Sequence, residues 1–248
     1  MKAMVLAAGL GTRLRPLTDS RPKALMEVAG RTLLEITLTR LRDSGICEAI
    51  VNVHHFADMV VDYLKAKKHF DMRIEISRED DLLLDTGGGL KKAAWFFLEN
   101  TSKGEPFILH NVDVISNIDL THMVQVHTQS EALATLAVQH RESSRQLLFD
   151  DAIQLCGRKA GRDQPPSMIR PVQNFQEMAF AGIHVISPRL LPMIQEDGVF
   201  SIIDVYLRLA GQGEKIMAFP ADGSYWRDLG RPEDLKQAAD DLKQGTLR

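Results

Sequence analysis

Val5-Leu-Ala-Ala-Gly-Leu-Gly-Thr-Arg-Leu-Arg-Pro-Leu-Thr-Asp-Ser-Arg-Pro-Lys23 is the stretch whose reading decides the fold. It starts inside a continuous apolar run, residues 3–8, the pattern of a strand buried on both faces. Gly9 and Gly11 follow at the strand end, where the missing Cβ lets backbone N–H groups approach a phosphate closely. Arg13, Arg15 and Lys23 then add cations suited to a polyphosphate. Strand, glycine turn and cations together predict a triphosphate-binding loop.

Two better-known phosphate loops are excluded. A dinucleotide fingerprint needs a third glycine where this chain has Leu14. A Walker loop needs four residues between its glycines and then Lys-Ser/Thr, and neither is present here. The 248 residues suffice for one large α/β domain with a sizeable core. A net charge of −3 argues against a general nucleic-acid binder, which needs a basic excess to neutralise phosphates. Cys47 and Cys156 are too few for a disulfide framework and fit a reducing cytoplasm. The early apolar run ends by Leu10, with Arg13 and Arg15 where a signal cleavage site would fall, and no stretch approaches a membrane span.

Outward from the loop, residues 30–45 read as a helix, with Leu34, Leu38 and Leu41 on one side and Gly45 as its cap. Residues 49–53 read as a second buried strand with His54 and His55 beyond it. A helix with Met59, Val60, Tyr63 and Leu64 inward follows, then an alternating edge strand over residues 73–77. Gly87, Gly88 and Gly89 precede a helix predicted over residues 91–99, and imply close backbone approach or φ > 0. Residues 107–115 read as a strand that turns Asn111 and Asp113 to the same side. A buried carboxylate there needs a partner, and Mg²⁺ is the usual one beside a triphosphate. Asn117 and Asp119 mark a helix start, and residues 132–137 a fifth strand. A hairpin across Asp150-Asp151 and a loop over residues 157–167 come next. Residues 180–187 read as a strand containing Gly182, and residues 202–209 as a helix. Trp226 and Asp228 alternate to one side, Gly230 turns the chain, and Pro232 opens a last helix that ends near Gly245.

From Leu6 to Thr18, and then at Pro22-Lys23, every position of the pattern L-A-A-G-x-G-T-R-L-x-P-L-T…P-K is filled. The chain therefore resembles the sugar-1-phosphate nucleotidylyltransferases, the nucleotide-sugar pyrophosphorylases. Asn111-Val-Asp113 is similar to that family's metal strand, and Trp226-Arg-Asp-Leu-Gly-Arg-Pro232 to its second metal segment, W-x-D-x-G-x-P. The resemblance implies one Rossmann-like, three-layer α/β nucleotidyltransferase domain with a mixed, mostly parallel sheet over residues 1–248. No hexapeptide repeat follows, so the left-handed β-helix domain of some longer relatives is not expected.

The resemblance also assigns residues. It implies Arg13 and Lys23 as catalytic cations, and Leu6, Ala8, Gly9, Gly11, Thr12, Asp85, Gly87 and Gly88 as nucleotide contacts. Asp113 and Asp228 would hold Mg²⁺, and Asn111 and Gly182 would face the sugar. Asp85 stands where many relatives have Glu. The family's Glu-Lys-Pro segment, whose lysine contacts the sugar phosphate, is missing; residues 141–178 diverge and offer Lys159, Arg162 and Arg170 instead. The implied reaction joins a sugar 1-phosphate to a nucleoside triphosphate, UTP or GTP, in a cytoplasmic monomer or homodimer. Short chains of this kind resemble N-acetylmuramate-1-phosphate uridylyltransferases and mannose- or heptose-1-phosphate guanylyltransferase-like proteins. A silent nucleotide-sugar-binding regulator would normally have lost Arg13, Lys23 or an aspartate. A glycosyltransferase would normally carry Asp-x-Asp, which Asn111-Val-Asp113 is not.

Overall fold

A computed structural model describes residues 1–99, 104–161 and 163–244. Its centre is β1 (Lys2–Leu6), and the alternation of that strand explains the layers. Ala3 and Val5 point into one apolar core and Met4 into another, all fully buried. β2 (Glu27–Val28) and β3 (Arg31–Thr32) form a small separate hairpin. α1 (Leu33–Asp43) starts on Thr32, whose hydroxyl accepts the Glu35 N–H at 3.0 Å, and stops before Gly45 at φ +83°. It packs with α2 (Ala57–Ala66) on the Ala3/Val5 face. Met59 is on the outer side of α2, contrary to the helical reading, while Val60 and Leu64 are inward.

β4 (Glu48–Val53) and β5 (Arg73–Arg78) extend the sheet in parallel from β1, with β5 at the edge. α3 (Asp85–Lys92) and α4 (Ala94–Leu98) cover the other face. Residues 100–103 lie outside the described chain. β6 (Phe107–Asn111) lies parallel to β1 on its other side, and β7 (Val114–Ser116) leaves the main sheet. α5 (Leu120–Ser130) is capped by Asp119, which accepts the His122 N–H at 2.9 Å. β8 (Ala134–Gln139), β9 (Gln146–Phe149), β10 (Leu155–Lys159) and β11 (Ser167–Met168) follow. β12 (Gln176–Ile186) is long enough to pair with β6, β8 and β9 in turn, all antiparallel.

After a two-turn 3₁₀ segment opened by Pro188 come α6 (Ile202–Gly211), β13 (Ile216–Pro220), β14 (Trp226–Asp228) and α7 (Pro232–Lys243). The sheet is thus parallel around β1 and, beyond β6, antiparallel except at its β8 branch, where β13 pairs in parallel, with helices on both faces, a Rossmann-like three-layer α/β fold. The expected helix end at Gly245 lies outside the described residues. Among the described residues no helix is long and apolar enough to cross a membrane.

Two local expectations are corrected. The three glycines sit inside α3 rather than before a helix; of the two readings, close backbone approach holds, while none of them has a positive φ and Asp85 does, at +58°. Their small size seats α3 against its neighbours. A Cβ on Gly88 would stand 2.5 Å from the Gly198 carbonyl oxygen, and one on Gly87 would strike the Phe200 ring. Nor do Asn111 and Asp113 share a strand. The Val112 N–H makes a last bond to the Leu6 carbonyl at 3.1 Å, and the chain then turns away to pair with β14.

Candidate active site

The loop after β1 is a short, tied structure. Gly11 takes φ +64°, and its carbonyl accepts both the Leu14 N–H at 2.8 Å and the Thr18 hydroxyl at 2.9 Å. Leu14 is fully buried and anchors the turn, while Arg13 beside it stays exposed. Gly9 has open space where a Cβ would be, so the backbone faces the cleft unshielded. At the other end of the loop the Ala7 N–H donates to Asn52 Oδ1 at 2.7 Å, and Asn52 Nδ2 donates to Glu79 Oε1 at 2.7 Å. Glu79 Oε2 in turn accepts the Leu84 N–H at 2.8 Å. This buried relay joins the loop to the entry of α3. Asn52 was readable as a polar break in an apolar strand, yet its partners are far away in sequence.

The two expected carboxylates come together through the β7–β14 ladder. Asp228 pairs with Val114, and the Leu229 N–H donates to the Asp113 carbonyl at 2.8 Å. Lys23, itself only 7% exposed, forms an ion pair with Asp113 Oδ2. Burial and then the neighbouring Asp113 charge push the Asp228 carboxyl above the usual range, opposed by Lys23 and Arg13. Gly230 provides clearance here. A Cβ on it would lie 2.6 Å from Asp228 Oδ1 and 2.8 Å from Arg13 Nη2. Arg40 steadies the segment that follows Asp113, donating to Ser116 Oγ at 2.7 Å and to the Ile118 carbonyl. Burial lowers the Arg40 pKa to about 10.

Three adjoining cavities meet at this point. One of about 250 Å³ is lined by Leu6, Gly9, Gly11, Thr12, Arg13, Lys23 and Asp113. A second of about 360 Å³ shares Leu6, Gly9 and Asp113, and adds Ala8, Asn52, Glu79, Asp85 and Asn111. The third, about 1110 Å³, shares Arg13 and Asn111 and adds Gly182 and Asp228. Asn111 Oδ1 is buried and has no partner among the described residues. Gly182, at φ +77° in a bulge of β12, packs where a Cβ would meet Asn111 Nδ2 at 3.0 Å.

Gly87 and Gly88 are the expected contacts that line none of these cavities. Both are buried in α3, and their N–H groups already donate to the Phe200 carbonyl at 3.0 and 3.3 Å. The substitutes offered for the missing lysine fare no better. Arg170 donates to Asp150 at 2.6 Å, Lys159 to Glu177 at 3.2 Å, and Arg162 lies outside the described residues. Instead Arg141, Arg145 and Arg231 line the large cavity. The polar run after β8 was a usable signal, since α/β sheets bind ligands at strand ends. His54, at the end of β4, is bonded to the Glu79 carbonyl, a satisfied strand-end residue.

Comparison with known proteins identifies the family and the fold. A family model described as "Nucleotidyl transferase" matches residues 2–147. The chain is 34% identical over 241 residues to the N-acetylmuramate alpha-1-phosphate uridylyltransferase of Caulobacter vibrioides, covering 93% of this chain and 92% of that one. It is 29% identical to the Mannose-1-phosphate guanyltransferase beta-B of Xenopus laevis, over 95% of this chain but only 62% of that longer protein. Among solved structures it overlays on HddC from Yersinia pseudotuberculosis, complexed with GMP-PN, with a TM-score of 0.73 at 21% identity, covering 97% of this chain and 99% of that one. A putative glucose-1-phosphate thymidylyltransferase from Bacillus anthracis overlays with a TM-score of 0.78 at 17% identity, covering 97% and 94%. The chain belongs to the nucleotidyl transferase family and is an enzyme of its sugar-1-phosphate nucleotidylyltransferase branch.

Proposed function

We propose that the protein joins N-acetylmuramate 1-phosphate to UTP, giving the nucleotide-sugar and pyrophosphate. The observation that carries the reading is the meeting of a loop-lined cavity, a base-sized cavity and a large third cavity at Arg13, Asp113 and Asp228. A full-length relative of that activity at 34% identity supports the choice of pair. So do Arg141, Arg145 and Arg231 on the third cavity, which suit a sugar bearing an acid group besides its phosphate.

In the proposed reaction a sugar-phosphate oxygen attacks the α-phosphorus in line. The α–β phosphoanhydride bond breaks and pyrophosphate leaves with its electron pair. No covalent enzyme intermediate is required, so positioning and charge neutralisation carry the catalysis. Backbone N–H groups of Gly9 to Thr12 receive the phosphates, and Arg13 binds the β- and γ-oxygens and stabilises charge on the departing group. Lys23 leaves its ion pair with Asp113 within reach of the reacting phosphate. Nucleobase and ribose occupy the cavity bounded by Ala8, Asn52 and Asp85.

Asp113 and Asp228 fit a divalent cation. They crowd one another with negative charge, and a magnesium site needs only one or two protein carboxylates when phosphates complete it. Bound there, Mg²⁺ supplies Lewis acidity at the α-phosphate. Among the described residues no cluster of three or more ligating side chains competes for it.

The test is pyrophosphate release with Mg²⁺, crossing UTP, GTP, CTP, dTTP and ATP with N-acetylmuramate, mannose, heptose and glucose 1-phosphates. Preference for UTP with N-acetylmuramate 1-phosphate is expected. Preference for GTP with mannose or heptose 1-phosphate would replace the substrates and keep the chemistry. No release with any pair, despite tight nucleotide binding, would point to a regulatory binder.

A further inference from the structure

The large cavity must accept a second anion beside carboxylates that already crowd each other, so a cation fixed on its own wall is needed. Lys23 stands on the triphosphate side, and Arg13, which borders both cavities, is already assigned to the β- and γ-phosphates. Of the arginines on the far wall, Arg227 is committed to Asp241 at 3.1 Å and to the Tyr225 hydroxyl at 3.2 Å. Arg231 is largely exposed and 3.9 Å from Glu233, and Arg145 is exposed at the rim.

Arg141 differs from all three. Its guanidinium carbon lies 3.9 Å from the centroid of the Trp226 ring, a close cation–π contact. Trp226 is itself held, donating from Nε1 to the Ala181 carbonyl at 2.7 Å. Arg141 Nη2 donates to the Phe180 carbonyl at 2.8 Å. Nε is buried and, like Nη1, has no acceptor among the described residues. The cation is thus held by the ring and by one donor, with other donors unspent. Trp226 and Asp228 are two residues apart on β14 and so face the same side. The guanidinium held by Trp226 therefore lies beside the carboxylate at which the reaction is placed, and the Asp228 charge acts on it.

We propose that Arg141 is the ligand for the phosphate of the sugar 1-phosphate. This rests on the reaction given under Proposed function. A guanidinium fork presents parallel N–H donors to two phosphate oxygens, which lysine cannot match. Held in this way, the third oxygen of that phosphate is free to turn towards the α-phosphorus.

The test compares wild type with Arg141→Gln, which keeps a planar end group over Trp226 without the charge, and Arg141→Lys, which keeps the charge without the fork. Steady-state kinetics would use the sugar 1-phosphate and nucleotide selected by the panel above. In Arg141→Gln, KM for the sugar 1-phosphate should rise at least about tenfold, the scale of one lost charged hydrogen bond. KM for the nucleotide should stay within about twofold and the melting temperature should not move. Arg141→Lys should fall between Gln and wild type. An unchanged sugar KM in an otherwise active enzyme would overturn the assignment and leave the reaction standing. Parallel rises in both KM values with a lower melting temperature would also overturn it, making Arg141 a support for Trp226. A wild type that releases no pyrophosphate with any pair would remove the reaction and the assignment together.

Discussion

Arg13 carries the heaviest demand of any single residue. It borders both the loop cavity and the large cavity, and Gly230 keeps the space that lets its guanidinium reach the side of Asp228. Its neighbours on the loop are fixed by Leu14 in the core and by the Gly11–Thr18 bond, so the cation is presented on a rigid base. Charge donors preorganised in this way cost about 10²- to 10³-fold in kcat when removed. Arg13→Ala should therefore lower kcat by at least about 10²-fold while the protein folds normally, because the side chain is exposed. A near-normal kcat, measured by pyrophosphate release at saturating substrates, would take Arg13 out of the mechanism. Arg13, Asp113 and Asp228, which the fold brings together, could be picked out as candidates because short linear motifs carry them. Arg141 could not, because its meaning depends on Trp226, which is 85 positions further along the chain.

At the scale of the element, α3 shows how a glycine run can be misread. Three consecutive glycines suggest a turn, yet here they lie inside a helix, with Gly87 and Gly88 against residues 198–202 and Gly89 against Glu79 and Asn52. Glycine is a poor helix former, and tertiary contact overrides that preference because only glycine fits the contact. Local pattern could not reveal this, since the opposing wall comes from the segment before α6. The part of the motif that lines a cavity is its entry, Asp85 and Thr86, and not the glycines. Gly88→Ala would bring a methyl group to 2.5 Å from a backbone carbonyl oxygen that has no rotamer to escape into. Overpacking of this kind costs about 1–3 kcal/mol. A fall in melting temperature of roughly 2–4 °C for each kcal/mol is expected for a chain of this size. Thermal unfolding would measure it, and an unchanged midpoint would mean that α3 is seated loosely. The same departure from local pattern explains β7, which read as the end of β6 until β14 was seen to draw it away.

Across the whole molecule, the parallel half around β1 was legible because buried strands and amphipathic helices have their own periods. The antiparallel half was less so: β12 serves three partners, and a pairing that changes along one strand leaves no periodic trace. That half also holds a set of buried histidines whose protonation bears on the stability of the entire fold. Burial holds His110 at a pKa of about 3, helped by the Arg40 charge. Burial likewise lowers His184 to about 3, beside His110, and His127 to about 4, with Arg189 adding to it. The unfolded chain would titrate these groups near pH 6.5. Above that pH both states are neutral and nothing is lost. As pH falls below it, the unfolded state binds protons that the native state refuses, so native stability declines until the folded pKa values are reached. By pH 5 the loss is about 2 kcal/mol for each such histidine. His140 works in the opposite direction, raised by its hydrogen bond to Asp222, but it is exposed and solvent screening keeps its effect small. Denaturant unfolding between pH 7.5 and 5 should therefore show stability falling steeply. His184→Gln, which gives up the 3.0 Å contact with the Tyr206 hydroxyl, should be less stable than wild type at pH 7.5 and lose less on acidification. A variant whose stability falls with pH as steeply as wild type would mean that the protons are taken up elsewhere in the unfolded chain.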